Sequence, residues 1–503
     1  MLPLLSAIVN LAQSLDTTQV LITVCALLAA YFVKVFLKRR NFPPGPWGWP
    51  IVGYLPYMSS DAHLDFIKIG KKYGDIFSLK LGSSTVVILN GPEVVKEALN
   101  RPEFLGRPKD GALPIFLPGS TFFVEDIHVW KEHRRYVVQS MKDLGLGRTK
   151  IEGDILEEIH HFLDLMNTHK GRPVDLNAPL SPSISNNICS LVFGKRYEYN
   201  DKDRMYLDSN LDLATETFSH TTFVGFFPWL LRVPFFSKMF SLEKGFNALQ
   251  NVRNLLKKEI NKHKDTFDAK NIRDFIDSFI VEMNSRKLKD PNTTLNDDSL
   301  TADVMDLFGA GSETVRNVIL WCVYVAAAHP EVQQKIREEM LDVLGPDRDP
   351  EILDLRSAPR THSFILEVMR WKTPVPLGVP KCTVADTTIC GYSIPKNTTI
   401  ITNLWNTHHS PEHWSEPEKF KPERFISKDG KTVSKSSYLM PFSIGKRVCP
   451  GETMAIMEIF LYFTSILRKF DLAFPEGFKP TYDAVLTAVF KLNAYKIRLV
   501  PRN

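Results

Sequence analysis

The chain has 503 residues, 44% of them hydrophobic, and a formal net charge of +5 with no long run of like charge. That is apolar material enough for a large core, and the mild charge gives no support to nucleic-acid binding. Its 6 cysteines include no C-x-x-C pair and no regular spacing, which excludes a disulfide framework or a zinc ribbon and fits a reducing compartment.

The first predicted element is Val20–Leu37 (VLITVCALLAAYFVKVFL), with one charge, Lys34, near its end. At about 1.5 Å per residue it approaches the roughly 30 Å of a bilayer core, and Lys34 can snorkel. A cleaved signal peptide would carry positive charge before the apolar run and a polar cleavage region after it. Here Asp16 precedes the run, while Lys38, Arg39 and Arg40 follow it. The expectation is a lumenal segment over 1–19, a retained transmembrane signal anchor over 20–37 and, by the positive-inside rule, a cytosolic remainder. Residues 38–53 form a basic and proline-rich linker whose prolines forbid helix and favour a stiff extended strip.

Residues 54–503 read as one body, mainly α with small β-sheets. FSLKLGS (77–83) and TVVILN (85–90) alternate as a hairpin does. The clearest helix has Asp298 or Ser299 as N-cap and runs to His329, where Pro330 stops it; its length of about 45 Å crosses a whole domain. A second helix carries Thr361–Trp371, and a third follows Cys449 as far as Phe470. Between them, Thr373–Phe442 is studded with proline and poor in strand signals. No internal repeat marks a second domain.

The stretch PFSIGKRVCPGE (441–452) sets Cys449 beside basic residues and before an apolar helix. If that helix begins at Pro450, Cys449 is its N-cap, and the positive helix end with Lys446 and Arg447 favours thiolate over thiol. Gly445 and Gly451 let the backbone approach a flat, bulky group. A buried structural cysteine is the alternative. The spacing decides against it, because Phe442, Gly445, Arg447, Cys449 and Gly451 spell F-x-x-G-x-R-x-C-x-G. In this motif the chain resembles the cytochrome P-450 family, the haem-thiolate monooxygenases.

Other signatures of that family follow in order. Ala310-Gly311-Ser312-Glu313-Thr314 is similar to its A-G-x-D/E-T, and Ala310 and Thr314, four residues apart, share one helix face. Gly309 and Gly311 weaken a helix and Thr314 can divert its bonding, so the helix is expected to widen there. A small-residue packing seam is the alternative. A dinucleotide fingerprint is rejected, since GAGSE lies inside a helix and lacks the third glycine. Glu367-Val368-Met369-Arg370 resembles E-x-x-R and Pro422-Glu423-Arg424-Phe425 resembles P-E-R-F; by resemblance Glu367, Arg370 and Arg424 lock the loop beneath the haem. Trp130 and Arg134 fit W-x-x-x-R, whose members hold a haem propionate, as Arg107 and Lys381 would; Arg447 adds a positive charge. Lys381 stands where histidine or arginine is usual, and offers a point charge without the fork. His408, His409 and His413 do not make a zinc site, because Pro411 breaks the helix that would align them.

The resemblance, closest in type to the drug- and steroid-metabolising family 2 group of animal microsomes, implies a single P-450 catalytic domain with an N-terminal transmembrane helix. It implies haem b (iron protoporphyrin IX) on Cys449, with thiolate donation favouring cleavage of the O–O bond. Ala310 would adjoin the haem, and Glu313 and Thr314 would deliver protons. Electrons would come from NADPH through NADPH–cytochrome P-450 reductase, with cytochrome b5 a further donor, at a basic face including Lys131, Arg135, Lys142 and Lys446. The substrate would be a small hydrophobic molecule, a steroid, fatty acid or xenobiotic, against Phe122, Phe123, Phe308, Val375, Leu377, Val379 and Leu486. The aromatic run 223–236 would cap that cavity and touch membrane lipid. The location implied is the endoplasmic reticulum membrane, single-pass, with the catalytic domain cytosolic. A haem-thiolate isomerase or dehydratase of lipid hydroperoxides is the alternative enzyme, and a non-catalytic haem- or lipid-binding protein the alternative class. Thr314 argues against both, since neither needs a proton-delivering alcohol.

Overall fold

The computed structural model of the chain describes residues 41–111, 117–146, 149–221, 225–227 and 242–502, with Pro114 and isolated positions between 16 and 29. Most of the anchor expected over 20–37 and most of the aromatic run 223–236 therefore lie outside the described residues. Among those described, no helix is long and apolar enough to cross a membrane.

Helices dominate. α1 (Ala62–Tyr73) precedes the hairpin of β1 (Ile76–Leu81) and β2 (Ser84–Leu89), and α2 (Pro92–Asn100) follows it. Next come α3 (Ile127–Asp143), α4 (Thr149–Asn167), β3 (Pro173–Val174), α5 (Asn177–Phe193), α6 (Lys202–Thr221), α7 (Leu242–Asp265) and α8 (Phe275–Lys289). α9 (Asp297–Ala328) is the long central helix, followed by α10 (Pro330–Leu344) and α11 (Pro359–Trp371). The last third holds β4 (Lys381–Cys382), β5 (Thr387–Ile389), β6 (Tyr392–Ile394), β7 (Thr399–Thr402) and α12 (Leu404–His409). It closes with α13 (Glu452–Lys469), β8 (Phe470–Ala473), β9 (Ala484–Leu486), β10 (Phe490–Leu492) and β11 (Ile497–Pro501). Proline at the first turn of α2, α10 and α11 starts each where its missing N–H costs nothing.

The hairpin pairs in the register Ile76 with Leu89, and its alternation feeds two apolar clusters. Phe77, Leu79, Val86 and Ile88 pack with Phe66 and Ile69 of α1, while Ile76, Val87 and Leu89 pack with Val94 and Val95 of α2. The stretch expected to be poor in strands supplies β7, which joins β2 in parallel and completes the order β1-β2-β7-β4. Four residues, Thr399 to Thr402, are too few to show a period, so only pairing reveals that strand.

α9 starts two or three residues earlier than expected. Asn296, not Asp298 or Ser299, is its N-cap, and the Asn296 and Ser299 side chains bond each other's backbone N–H in a capping box. From Leu300 to Ala327 it is buried except at Leu307 and Gly309–Thr314. A helix apolar nearly all round belongs in a core, and α5, α11 and α13 pack against it. The helix stays α-helical through 309–314 rather than widening. The two glycines serve different ends: a Cβ at Gly311 would come within 2.9 Å of Ile188 Cδ1 on α5, whereas one at Gly309 would meet nothing within 4 Å.

Candidate active site

The Cys449 loop is a tight turn. The Cys449 N–H donates to the Phe442 carbonyl at 2.9 Å and the Val448 N–H to the Gly445 carbonyl at 3.1 Å. Gly445 has φ of +75°, and a Cβ there would lie 2.1 Å from the Leu99 carbonyl oxygen. Its freedom thus seats the loop on α2, not on an external group. A Cβ at Gly451 would meet only Cys449 Sγ, at 3.9 Å, so the open side lies beside the sulfur.

Cys449 is not the N-cap. α13 begins at Glu452 with Gly451 as N-cap, and Cys449 stands two residues earlier. The helix start still acts on it, because the backbone N–H groups of Gly451 and Glu452 favour the thiolate. Cys449 has accessible surface, yet protein encloses most of it. Burial therefore raises the thiol above its ordinary value, and these N–H groups and Arg134 only partly offset that. Lys446, expected to assist, is exposed to solvent. The thiolate needs a bound cation to complete its stabilisation.

Four cations gather nearby, and among the described residues none has a carboxylate partner. Arg447 Nε donates to Leu105 O and Nη1 to Phe122 O, each at 2.9 Å, while its buried Nη2 has no protein partner. Its guanidinium stacks on Trp130. Arg107 donates from Nη1 to Pro380 O at 3.0 Å and leaves Nε unpartnered. Lys381 on β4 is 4% exposed. Burial pulls Arg107 down to about 10. Burial with Arg107 and Arg134 pulls Arg447 down to about 8. Burial followed by Arg107 and Arg447 holds Lys381 well below the lysine range. Buried like charges of this kind call for a multiply charged anion. Arg134, one turn after Trp130 on α3, is half-buried, and burial lowers its pKa while Cys449 draws it back.

On α9, Thr314 Oγ1 donates to Ala310 O at 2.7 Å, so the hydroxyl caps the carbonyl on the face they share. Glu313 does not join them. Its carboxyl lies 3.8 Å from Lys491 Nζ, in a polar cavity of about 190 Å³ shared with Arg316, Asn177 and Tyr495. Burial raises its pKa, and Arg316 and Lys491 draw it back.

Glu367, Arg370 and Arg424 meet as the motifs imply. Arg370 grips Glu367 through Nε at 2.7 Å and Nη2 at 2.9 Å, and Arg424 Nε lies 3.1 Å from the same carboxylate. Arg370 also donates to the carbonyls of His408 and Pro417, which ties α11 to the segment 408–417 ahead of the Cys449 loop. His408 is committed to that frame: Nδ1 lies 2.8 Å from Thr373 Oγ1 and Nε2 accepts the Met440 N–H at 3.0 Å. Phe308 is fully buried against Phe193, while Phe122, Phe123, Val375, Leu377, Val379 and Leu486 keep partial exposure.

The cytochrome P450 family profile matches residues 43–498. The chain is 33% identical to cytochrome P450 2J2 of Homo sapiens over 97% of both chains. It is 33% identical to cytochrome P450 2U1 of Bos taurus over 92% of this chain and 89% of that one. Identity to cytochrome P450 18a1 of Drosophila melanogaster is 32%, over 92% and 88%.

The chain belongs to the cytochrome P450 family.

This P450 is accordingly a monooxygenase, similar to animal family 2 members, and its family implies a haem-iron cofactor. The residues present fit that group: a thiol with an open side for iron, and unpartnered cations for a dianionic rim. The sequence reading missed a buried acidic cluster on α9, Asp303 and Asp306, with His133 of α3. The signal was there, since two carboxylates three residues apart in an otherwise apolar helix need partners.

Proposed function

We propose that this P450 inserts one oxygen atom of O2 into a small hydrophobic molecule of the steroid, fatty acid or xenobiotic kind. Its electrons come from NADPH through NADPH–cytochrome P450 reductase, with cytochrome b5 as a second donor. The observation that carries the reading is Cys449 beside a linked cluster of four cations that have no carboxylate partner among the described residues, in a body whose central helix is uncovered in its middle only at Leu307 and Gly309–Thr314.

Bound as haem b through Cys449, the iron supplies the activation of dioxygen. Cys449 Sγ holds the ligand position under the N–H groups of Gly451 and Glu452. Arg107, Arg134, Lys381 and Arg447, with Trp130 beneath Arg447, orient the anionic rim. Thr314 holds a proton at Oγ1 beside Ala310. Glu313 reaches that hydroxyl only by turning from Lys491, and its raised pKa lets it carry the next proton.

The domain division of the sequence reading stands as part of this proposal: lumenal 1–19, anchor 20–37, linker 38–53 and catalytic domain 54–503, cytosolic on the endoplasmic reticulum. Exposed Trp47, Trp49 and Ile51 in the linker, with Tyr57 just after it, support lipid contact. The hairpin turn adds to that corner, since Gly82 N–H donates to Val52 O and Ser83 N–H to Phe226 O. Exposed Lys131, Arg135, Lys142 and Lys446 support a basic docking face for the reductase.

The test is spectroscopic. Reduced protein under carbon monoxide gives the far-red-shifted Soret band of thiolate ligation, and Cys449→His loses it. An unshifted band in folded wild type overturns the site. Turnover of a lipid and steroid panel that needs both NADPH and reductase tests the rest.

A further inference from the structure

The segment Ser120–Phe123 is held at both ends of its short span. On one side a single oxygen, Asp306 Oδ2 of α9, collects three donors: Ser120 Oγ at 2.7 Å, Thr121 N–H at 3.1 Å and Phe122 N–H at 3.2 Å. Ser120 Oγ in turn accepts the Phe123 N–H at 3.0 Å. On the other side the Phe122 carbonyl accepts from Arg447 Nη1, two residues before Cys449. Beyond the segment lies a cavity of about 770 Å³, lined by Ser120, Thr121 and Phe123 with Arg253 of α7 and Ser299 and Ala302 of α9; it contains no residue of the Cys449 loop. The segment is thus the wall between that outer cavity and the Arg447 cluster.

Asp306 stands on the stripe 306, 310, 314 of α9, one turn before Ala310. The groups facing it are Asp303 on α9, bonded to Thr121 Oγ1 and 2.8 Å from His133 Nδ1 of α3, and, across the segment, Arg447. Asp303 and His133 are fully buried, and His133 Nε2 has no protein partner.

We propose that Asp306 is a positioning residue, a latch that holds Ser120–Phe123 closed between α9 and Arg447 and frees it on taking up a proton, joining the outer cavity to the Cys449 side. The chemistry sets the direction. An ionised Oδ2 accepts all three bonds with charge assistance, whereas a carboxyl protonated on Oδ1 offers them only a neutral carbonyl oxygen, so each bond to the segment weakens. Burial raises Asp306 to about 7, with Asp303 adding to the rise and the Ser120, Phe122 and Thr121 donors resisting it. The latch therefore tightens as pH rises through neutrality and loosens as it falls.

Hydrogen exchange of the haem-loaded full chain in detergent tests this. Between pH 8 and pH 6, after correction for intrinsic rates, protection of the Thr121 and Phe122 amides falls by roughly tenfold, the increment of one charge-assisted bond over a neutral one. Core amides of α9 from Val315 to Val325 do not change over that range. Asp306→Asn gives the low protection at both pH values, and Ser120→Ala lowers it while keeping the pH dependence. Association of 4-phenylimidazole, followed by Soret absorbance, speeds up at pH 6 in wild type and is pH-independent in Asp306→Asn. Protection that ignores pH in wild type, or core amides that loosen in step with the segment, overturns the latch. If Asp306→Asn does not fold, the wild-type series and Ser120→Ala decide alone.

Discussion

The guanidinium of Arg447 stacks 3.8 Å above the indole of Trp130, fastening the Cys449 loop to α3. Both side chains are nearly fully buried, and a desolvated cation–π contact of this kind contributes about 2 kcal/mol. Trp130→Ala is expected to release haem roughly thirtyfold faster, by the usual conversion of that energy, in a transfer assay to apomyoglobin. Trp130→Phe should keep most of the retention. Equal release from all three proteins would show that the stack contributes nothing.

Thr314→Ala removes a hydroxyl that donates to Ala310 O at the uncovered part of α9. An interaction made only along the oxygen-activating path changes turnover without changing affinity. The substrate-induced spectral shift should survive, while product formed per NADPH consumed falls and hydrogen peroxide rises to match. The loss should be about 100-fold or less, since water can partly replace the hydroxyl. Full coupling in the alanine variant would remove Thr314 from the proton path.

Arg370 and Glu367 are both at 0% side-chain exposure, so breaking the pair strands a buried charge. Arg370→Met should cost about 3–5 kcal/mol in urea unfolding, whereas Glu367→Met with Arg370→Leu should cost less than the single change. A single variant as stable as wild type would mean that Arg424 and the Lys421 N–H suffice for Glu367.

Glu458 of α13 is buried, accepts from Asn187 Nδ2 at 2.7 Å, and is raised by burial to about 8. Between its ordinary value and 8 the folded protein binds a proton that the unfolded chain has released, so stability falls as pH rises through that window. Glu458→Gln should flatten the slope. Urea midpoints at pH 5 and pH 8 for both proteins measure it, and parallel slopes would refute the assignment.

Two glycosylation acceptors test the orientation. Asn292-Thr293-Thr294 and Asn397-Thr398-Thr399 lie in the catalytic domain, and both asparagines are exposed. A cytosolic domain leaves them unmodified in cells. A glycosidase-sensitive mass shift traced to either would reverse the topology.

The sequence by itself determined the family, the thiol and the order of the motifs, because each depends on residue type at short spacing. F-x-x-G-x-R-x-C-x-G closes a turn on its own backbone, and Glu367 with Arg370 is one helical turn. It also marked a helix of about 45 Å stopped at Pro330, long enough to cross a whole domain. Tertiary structure decided what rests on groups far apart in the chain. Burial, which no local spacing reports, raised the Cys449 thiol against the helix end that was expected to lower it. Packing turned Glu313 toward Lys491 of β10, away from Thr314, and put Phe308 into the core against Phe193. Only the fold brought Ser120 to Asp306, Phe122 to Arg447 and Arg107 beside Lys381, because a buried charge is defined by what surrounds it, and its neighbours come from elements hundreds of residues apart.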